Sequence, residues 1–275
     1  MEEIKNFIKP DSLKDAYSLL QKPDAKIIAG NHWLKMSDIT IDPAIDLSDL
    51  NLNQIKETSD CFSIGASVTL RTLETNSKLN NFFNGIFKDA LSHIVGVQFR
   101  NTATAGANIF LKHGFSDLIT VLLSLDTELI FYNHGKIKLS DYLKENISKD
   151  ILTEIIIPKK TLKAKFLSQK NSTTDFSVLN VAASKCKDEC IVSVGARPLV
   201  AKEIRIKITD KKSLSKDDLS VSNNPDTEEL TSLSEKISNQ FSFDSDIRAS
   251  KEYRKKICSV LTRRALKDIF TGEDA

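Results

Sequence analysis

The sequence predicts an α+β protein, on three observations. Strand-like and helix-like hydrophobic periods alternate irregularly along the chain, and no segment repeats at a period of roughly 20 to 50 residues, so a solenoid or propeller is not indicated. The composition, 40% hydrophobic and 28% charged, is that of an ordinary globular protein and excludes collagenous, mucin-like and wholly disordered classes. The 275 residues are enough for one large domain or two ordinary ones at roughly 150 residues each.

Each element has a local reason. Ile4 and Phe7 sit in extended segments, and Asp11 or Ser12 then caps a helix carrying Leu13, Ala16, Tyr17, Leu19 and Leu20 at near-helical spacing, stopped by Pro23. Ala25 to Ala29 is a short strand that leaves through Gly30, a permissive residue where backbone can meet a ligand. From Ile55 to Pro158 strands at Phe62 to Ala66, Glu128 to Tyr132 and Ile151 to Ile157 mix with helical stretches at Asn81 to Ser92 and Ser116 to Leu125. Three more β-like runs follow, at Ala164 to Leu167, Cys190 to Val194 and Ile204 to Ile208. A polar stretch, Ser213 to Glu229, then precedes two helices. The last, about Ala249 to Phe270, is predicted to put Tyr253, Ile257, Val260, Leu261, Ala265 and Ile269 on one face, with Arg254, Lys255, Arg263, Arg264 and Lys267 mostly elsewhere.

Charge and cysteine content narrow the function. A net charge of +2 gives no basic field to hold a polyanion, so no nucleic acid partner is expected. No apolar run reaches the roughly 18 to 20 residues needed to span a bilayer, and residues 1–10 have the mixed charges of no signal peptide. No membrane partner and a cytoplasmic location follow as expectations. Cys61, Cys186, Cys190 and Cys258 are too few and scattered for a disulfide framework; Cys186 and Cys190 have three residues between them and no second Cys/His pair nearby, so no metal site is expected. His32, His93, His113 and His134 lack the i, i+4 spacing of a helical metal pair, and neither G-x-S-x-G nor a Walker motif occurs.

Glycine is scarce, nine in 275 residues, less than half the usual ~7%. Gly30 ends a strand, and Gly96, Gly106 and Gly114 bracket Arg100-Asn101-Thr102-Ala103-Thr104-Ala105-Gly106-Ala107-Asn108. Small residues interleaved with hydroxyl and amide side chains let backbone approach a ligand while N–H and O–H groups point at it, as a phosphate cradle does. A tight turn that buries Thr and Asn against its own backbone has the same composition.

These residues also carry a family resemblance. Ile28-Ala29-Gly30, Ile64 to Leu70, the Gln98-to-Leu125 block, Ile155 to Pro158, Asp175-Phe176 with Asn180 to Ala183, and Ala249 to Arg254 with Arg263 to Leu266 follow in order. Over nearly its whole length the chain resembles the FAD-binding medium subunit of molybdenum hydroxylases of the xanthine dehydrogenase and carbon monoxide dehydrogenase type. The resemblance implies a two-lobed FAD-binding domain of the vanillyl-alcohol-oxidase (PCMH) type at 1–160, with lobes at about 1–53 and 54–160. A smaller α+β domain of the CO dehydrogenase flavoprotein type would follow at 161–275.

By the same resemblance the FAD pyrophosphate lies between a first loop, Ile28, Ala29, Gly30, Asn31, His32, Trp33 and Leu34, and a second around Thr104, Gly106, Ala107 and Asn108. Asp117 matches an aspartate that bonds FAD near its sugar and phosphate portion; for a carboxylate that opens a helix, a helix-end role is the alternative, and both can hold at once. Ile94 matches a position beside the flavin ring, and Leu152 an apolar contact near it. A family lysine near the flavin falls on Leu167, with Lys165 and Lys170 as neighbours. The first loop departs from the usual A-G-G-T-D-L and the second from T-I-G-G-N, so one glycine of each pair is replaced, by Asn31 and Ala107, and His32 and Trp33 stand for Thr and Asp. Asn tolerates positive φ and Ala is the smallest residue with a Cβ, so these two are the mildest replacements.

Such a subunit takes electrons one at a time from iron–sulfur clusters on a small partner and passes them through FAD to NAD or another acceptor. No side chain here need act as acid or base, so no catalytic residue is assigned. The chain has no cysteine set for a [2Fe–2S] centre, so the molybdenum cofactor and the clusters are expected on partner chains, a molybdenum-binding large subunit and a [2Fe–2S] small subunit. Two alternatives stay open: a non-flavin scaffold subunit of the same kind of complex, and a stand-alone flavoenzyme oxidising a small alcohol, which lacks a motif-placed base.

Overall fold

The computed structural model describes residues 3–210 and 219–272. Three consecutive units carry the sheets. The first holds β1 (Glu3–Ile4), β2 (Phe7–Ile8), α1 (Leu13–Leu20), β3 (Lys26–Ile28), β4 (Thr40–Ile41) and β5 (Ala44–Asp46). Ser12 caps α1 by accepting from the Asp15 amide, as its position before the apolar period predicts. β5 lies between β2 and β3, all parallel, and Ala16, Leu20, Ala25 and Ile45 form a small core beneath α1.

The central unit runs through β6 (Ile55–Glu57), β7 (Cys61–Gly65), α2 (Leu70–Thr75), α3 (Ser77–Phe82), α4 (Ile86–Leu91), α5 (Val97–Thr102), α6 (Ala105–Phe110), α7 (Asp117–Ser124), β8 (Glu128–Phe131), β9 (Gly135–Lys138), α8 (Leu139–Tyr142) and β10 (Leu152–Pro158). Its antiparallel sheet has the order β6-β7-β10-β8-β9. The single helix expected over Asn81 to Ser92 is instead α3 and α4, because Asn84 and Gly85 between them take φ of 53° and 75°. Two left-handed residues in succession end one helix and start another.

The third unit is built from β11 (Lys163–Lys170), β12 (Ser177–Lys185), β13 (Glu189–Gly195), β14 (Lys202–Thr209), β15 (Ser220–Ser222), α9 (Thr227–Asn239) and α10 (Lys251–Thr271). Its sheet follows chain order. Of the polar stretch Ser213 to Glu229, residues 213–218 lie outside the described residues; the rest supplies β15 and the start of α9.

Strand β12 is buried on both faces, which periodicity alone could not announce. Leu179, Val181 and Ala183 enter the core under α9 and α10. The opposite face meets α7, all eight residues of which are buried. Thr120 donates to Asn180 Oδ1 at 2.9 Å, Ser193 Oγ donates to the Thr120 carbonyl at 2.5 Å, and Ser184 Oγ donates to the Ser124 carbonyl at 2.5 Å. Small polar side chains thus fasten the central unit to the third where large apolar ones would hold the sheet and helix apart.

Helix α10 corrects the sequence reading. Arg254 is 1% exposed and Tyr253 43% exposed, so the buried face is Arg254, Cys258, Leu261, Thr262, Ala265, Leu266 and Ile269. The guanidinium is tolerated because every arm is engaged: Nε donates to the Val178 carbonyl at 3.0 Å, Nη1 to those of Asp244 and Ala249 at 2.8 Å each, and Nη2 to Asp246 Oδ1 at 2.6 Å. A hydrophobicity pattern counts arginine as outside; five donors in a rigid fork put it inside.

Candidate cofactor site

The loop that follows β3 is the first predicted cradle, and the structure seats it on α5. A Cβ at Gly30 would lie 2.5 Å from the Thr102 carbonyl oxygen, so only glycine permits this approach. Asn31 takes φ 54°, a conformation asparagine adopts more readily than other residues with a Cβ. His32 stacks on Phe99 with ring centroids 4.0 Å apart, and its Nε2 lies 2.8 Å from Thr102 Oγ1. Burial, with a smaller push from Lys35, lowers the His32 pKa, so the ring is neutral at pH 7. The amides of His32 and Trp33 donate to no group among the described residues.

The second cradle is built differently from the expectation. Thr104 caps α6, accepting from the Ala107 amide at 3.3 Å. The amides of Ala105 and Gly106 donate to the Val68 and Ala66 carbonyls at 2.8 Å each, and that of Asn108 to the Thr104 carbonyl. These amides are therefore committed to the fold. Gly106 is required by Ala66, whose Cβ and carbonyl oxygen would stand 2.8 Å from an added Cβ. What this loop has left to offer an anion is the Thr104 backbone amide, which donates to no backbone group among the described residues, the Thr104 hydroxyl proton and the Asn108 amide NH₂, since Asn108 Oδ1 already accepts from Ser116 Oγ at 2.5 Å.

Asp117 opens α7 and is 4% exposed. Its Oδ1 accepts from Ser177 Oγ and Asn180 Nδ2 at 2.6 Å each, and its Oδ2 lies 3.3 Å from Lys170 Nζ. The carboxylate is thus a junction between units as well as a helix-end charge. Ile94 and Leu152 pack with the central core. Ile94 sits in a loop held from two sides: Arg100, buried and paired with Glu74 Oε2 at 2.7 Å, donates to the Ile94 carbonyl at 2.9 Å, and Lys170 donates to that of His93 at 3.3 Å. Val95, which directly follows the two gripped residues, takes φ 49° and is 45% exposed. A β-branched residue there is strained by roughly 1 to 3 kcal/mol, a feature that concentrates at ligand clamps.

Of the three positions set against the family lysine, Leu167 packs toward the third unit's core and Lys165 pairs with Asp89 and Asp268. Lys170 alone of the three reaches Asp117 and the loop of Ile94. Sequence reasoning missed Arg100 and Glu74, which pair across 26 residues, and Val95, whose positive φ no pattern announces.

The profile of the family described as FAD binding domain in molybdopterin dehydrogenase matches residues 2–160, and that of the CO dehydrogenase flavoprotein C-terminal domain matches residues 165–269. The chain belongs to the FAD-binding family of molybdopterin dehydrogenases. Among family relatives, it is 27% identical to the Escherichia coli K12 protein YgfM, with 99% of each chain covered. It is 26% identical to the glyceraldehyde dehydrogenase medium chain of Sulfolobus acidocaldarius, over 96% of this chain and 98% of that one. The fold is that of chains in quinoline 2-oxidoreductase from Pseudomonas putida 86 (TM-score 0.81, 20% identity, 97% of each chain) and carbon monoxide dehydrogenase from Hydrogenophaga pseudoflava (TM-score 0.83, 17% identity, 98% and 99%).

The residues present fit FAD. An uncommitted pair of amides, those of His32 and Trp33, follows a glycine that packs on Thr102 as only glycine can, and backbone donors of this kind suit a pyrophosphate. Among the described residues no helix is long and apolar enough to cross a membrane, and no cluster of His, Cys, Asp and Glu is arranged to hold a metal.

Proposed function

We propose that this chain is the FAD-binding electron-transfer subunit of a multi-subunit molybdenum hydroxylase, in which a large subunit holds the molybdenum cofactor and a small one the [2Fe–2S] clusters. The observation that carries this reading is the packing of the first loop on Thr102 of α5, beside the uncommitted His32 and Trp33 amides; Thr104 and Asn108 are the donors we assign to the same anion. Asp117, Ile94 and Leu152 complete the set of residues assigned to the cofactor. FAD, when bound, supplies the redox chemistry that accepts electrons singly and passes them on, to NAD or another acceptor.

The chain's own residues bind and orient. Gly30 and Asn31 give the loop its close approach, and the Arg100–Glu74 pair and Lys170 fix the backbone around Ile94. Asp117 ties the cofactor domain, taken as 1–160, to the remainder, 161–275, by three side chains. Xanthine dehydrogenase-like chemistry and a cytoplasmic complex are part of the proposal and rest on the resemblance of the sequence blocks above.

Purification of the native complex tests it. The expected result is stoichiometric flavin on this chain together with molybdenum and iron–sulfur subunits. A complex assembled without flavin on this chain supports the scaffold alternative, and recovery of the chain from its host with no partner overturns the assembly.

A further inference from the structure

Trp33 is the single tryptophan of the chain, stands on the cradle loop, and is 38% exposed. Three rings from elsewhere gather around it. His113 and Phe115, on the connection between α6 and α7, have centroids 4.9 and 5.9 Å from it, and Phe176, just before β12, lies 6.3 Å away at an interplanar angle of 28°. His113 stacks on Phe115 at 4.9 Å and 11°.

Two features of this cluster lack a purpose in the fold. One is the exposed part of a large aromatic residue, which water solvates poorly. The other is His113 Nε2, shut off from solvent with no hydrogen-bond partner among the described residues. Burial lowers the His113 pKa, so the ring is neutral and presents one nitrogen as a donor and the other as an acceptor. An unpaired buried nitrogen costs free energy that a polar heterocycle would recover.

The position narrows the choice of ligand. Trp33 directly follows His32, whose amide belongs to the cradle, and Phe115 lies two residues before Asp117. Phe176 precedes Ser177, which donates to Asp117. The cluster therefore adjoins both the pyrophosphate donors and the carboxylate.

We propose that Trp33 and His113 form the seat of the adenine ring of FAD, with stacking on the indole and a hydrogen bond between His113 Nε2 and a purine nitrogen. This rests on the FAD reading above and adds to it which residues hold the adenylate half. An adenine has a π-face for Trp33 and, on its edge, ring acceptors and an amino donor, so either imidazole tautomer finds a match.

The full chain, freed of flavin, is titrated with ADP while Trp33 emission is followed, and in parallel with riboflavin 5′-phosphate. ADP is expected to change the emission saturably and to displace FAD, whereas riboflavin 5′-phosphate, which lacks the adenine, competes with ADP only through the phosphate position that the two share. Trp33→Leu should weaken FAD about tenfold or more and abolish ADP competition, with riboflavin 5′-phosphate binding unchanged; Trp33→Phe should retain most of the affinity. His113→Leu should weaken FAD and ADP alike, and His113→Gln less so. Circular dichroism melts verify that each variant is folded.

FAD taken up at wild-type affinity by folded Trp33→Leu, or FAD binding with Trp33 blind to ADP, overturns the seat and leaves the FAD reading standing. ADP binding at Trp33 in a chain that never takes up FAD assigns the cluster to another adenine nucleotide and overturns it too. Failure of both ligands in the assembled complex overturns the FAD reading along with it.

Discussion

Lys170 places its ammonium 3.3 Å from Asp117 Oδ2 and 3.3 Å from the His93 carbonyl oxygen. One buried cation from β11 therefore touches the carboxylate that opens α7 and the loop that carries Ile94 and the strained Val95. Asp117→Asn keeps a polar side chain but leaves that ammonium without its counter-charge. A helix-end role alone would cost about 0.3 to 1 kcal/mol; loss of charge-assisted hydrogen bonds raises the expected cost to about 1.5 to 3 kcal/mol. Flavin retention should fall as well. A thermal melt and a flavin count separate the two effects: a loss below 1 kcal/mol rules out the junction, and unchanged flavin rules out the cofactor contact.

Much of the fold was legible because its signals are local. Ser12 and Ser116 announce helices that they do cap, and the block around Gly30 marks a loop that packs closely on Thr102. Three things were not legible. Strand β12 alternates between two cores, so its small residues show no period. Arg254 is buried by carbonyls up to 76 residues away in sequence. The Gly106 amide serves Ala66, a partner no local pattern specifies, so an amide that the small-residue pattern offers to a ligand is spent within the fold.

Arg254 gives the second prediction. Truncation to alanine leaves the Val178, Asp244 and Ala249 carbonyls without their donor, and a buried charge network of this kind costs about 3 to 5 kcal/mol when one partner is removed. Arg254→Lys should recover less than half of that, because an ammonium cannot serve partners spread along a planar fork. Urea unfolding of the three proteins measures it, and equal stability of the Lys variant and wild type would contradict the fork.

Acidification should destabilise the protein in two stages. Burial lowers the pKa of His113 and of His32, so the unfolded chain binds protons more readily and stability starts to fall as pH drops below about 6.5. Burial would raise the Asp126 and Asp246 pKa values, but Lys160 and Arg205 at Asp126, and Arg254 with the Arg248 and Ala249 amides at Asp246, outweigh it and hold both low. Their contribution is present above about pH 4, the unfolded value, and is lost as pH falls through the depressed folded values. His113→Gln should flatten the first stage and leave the second. A melting series from pH 8 to pH 3 shows whether it does.

The cysteines should differ sharply toward a thiol reagent. Burial raises the thiols of Cys186 and Cys190 and pushes Cys258 up to about 12, and all three side chains are buried. Cys61 is half-buried at the edge of β7. Thiolate is the reactive form, so the folded protein should show one fast modification, at Cys61, and four in denaturant. Mass spectrometry of the labelled chain checks the count, and rapid labelling of Cys258 in the native state would contradict the packing of α10.

The two cradle glycines should fail in opposite ways. At Gly106 a Cβ meets Ala66 of the same central unit at 2.8 Å, so Gly106→Ala overpacks the contact between α6 and the end of β7. Overpacking costs about 1 to 3 kcal/mol, or roughly 2 to 12 °C in melting temperature for a chain of this size, while the uncommitted amides of the first loop are untouched. At Gly30 the added Cβ meets the Thr102 carbonyl at 2.5 Å, and the loop, half-exposed and joined to α5 through His32, can lift away. Gly30→Ala should therefore lose flavin with little change in melting temperature, because lifting the loop moves the His32 and Trp33 amides away from α5. Flavin occupancy and melting temperature measured on both variants give the contrast. If Gly30→Ala holds flavin at wild-type occupancy while Gly106→Ala expels it without loss of stability, the anion donors lie on α6 and the first loop is only a wall.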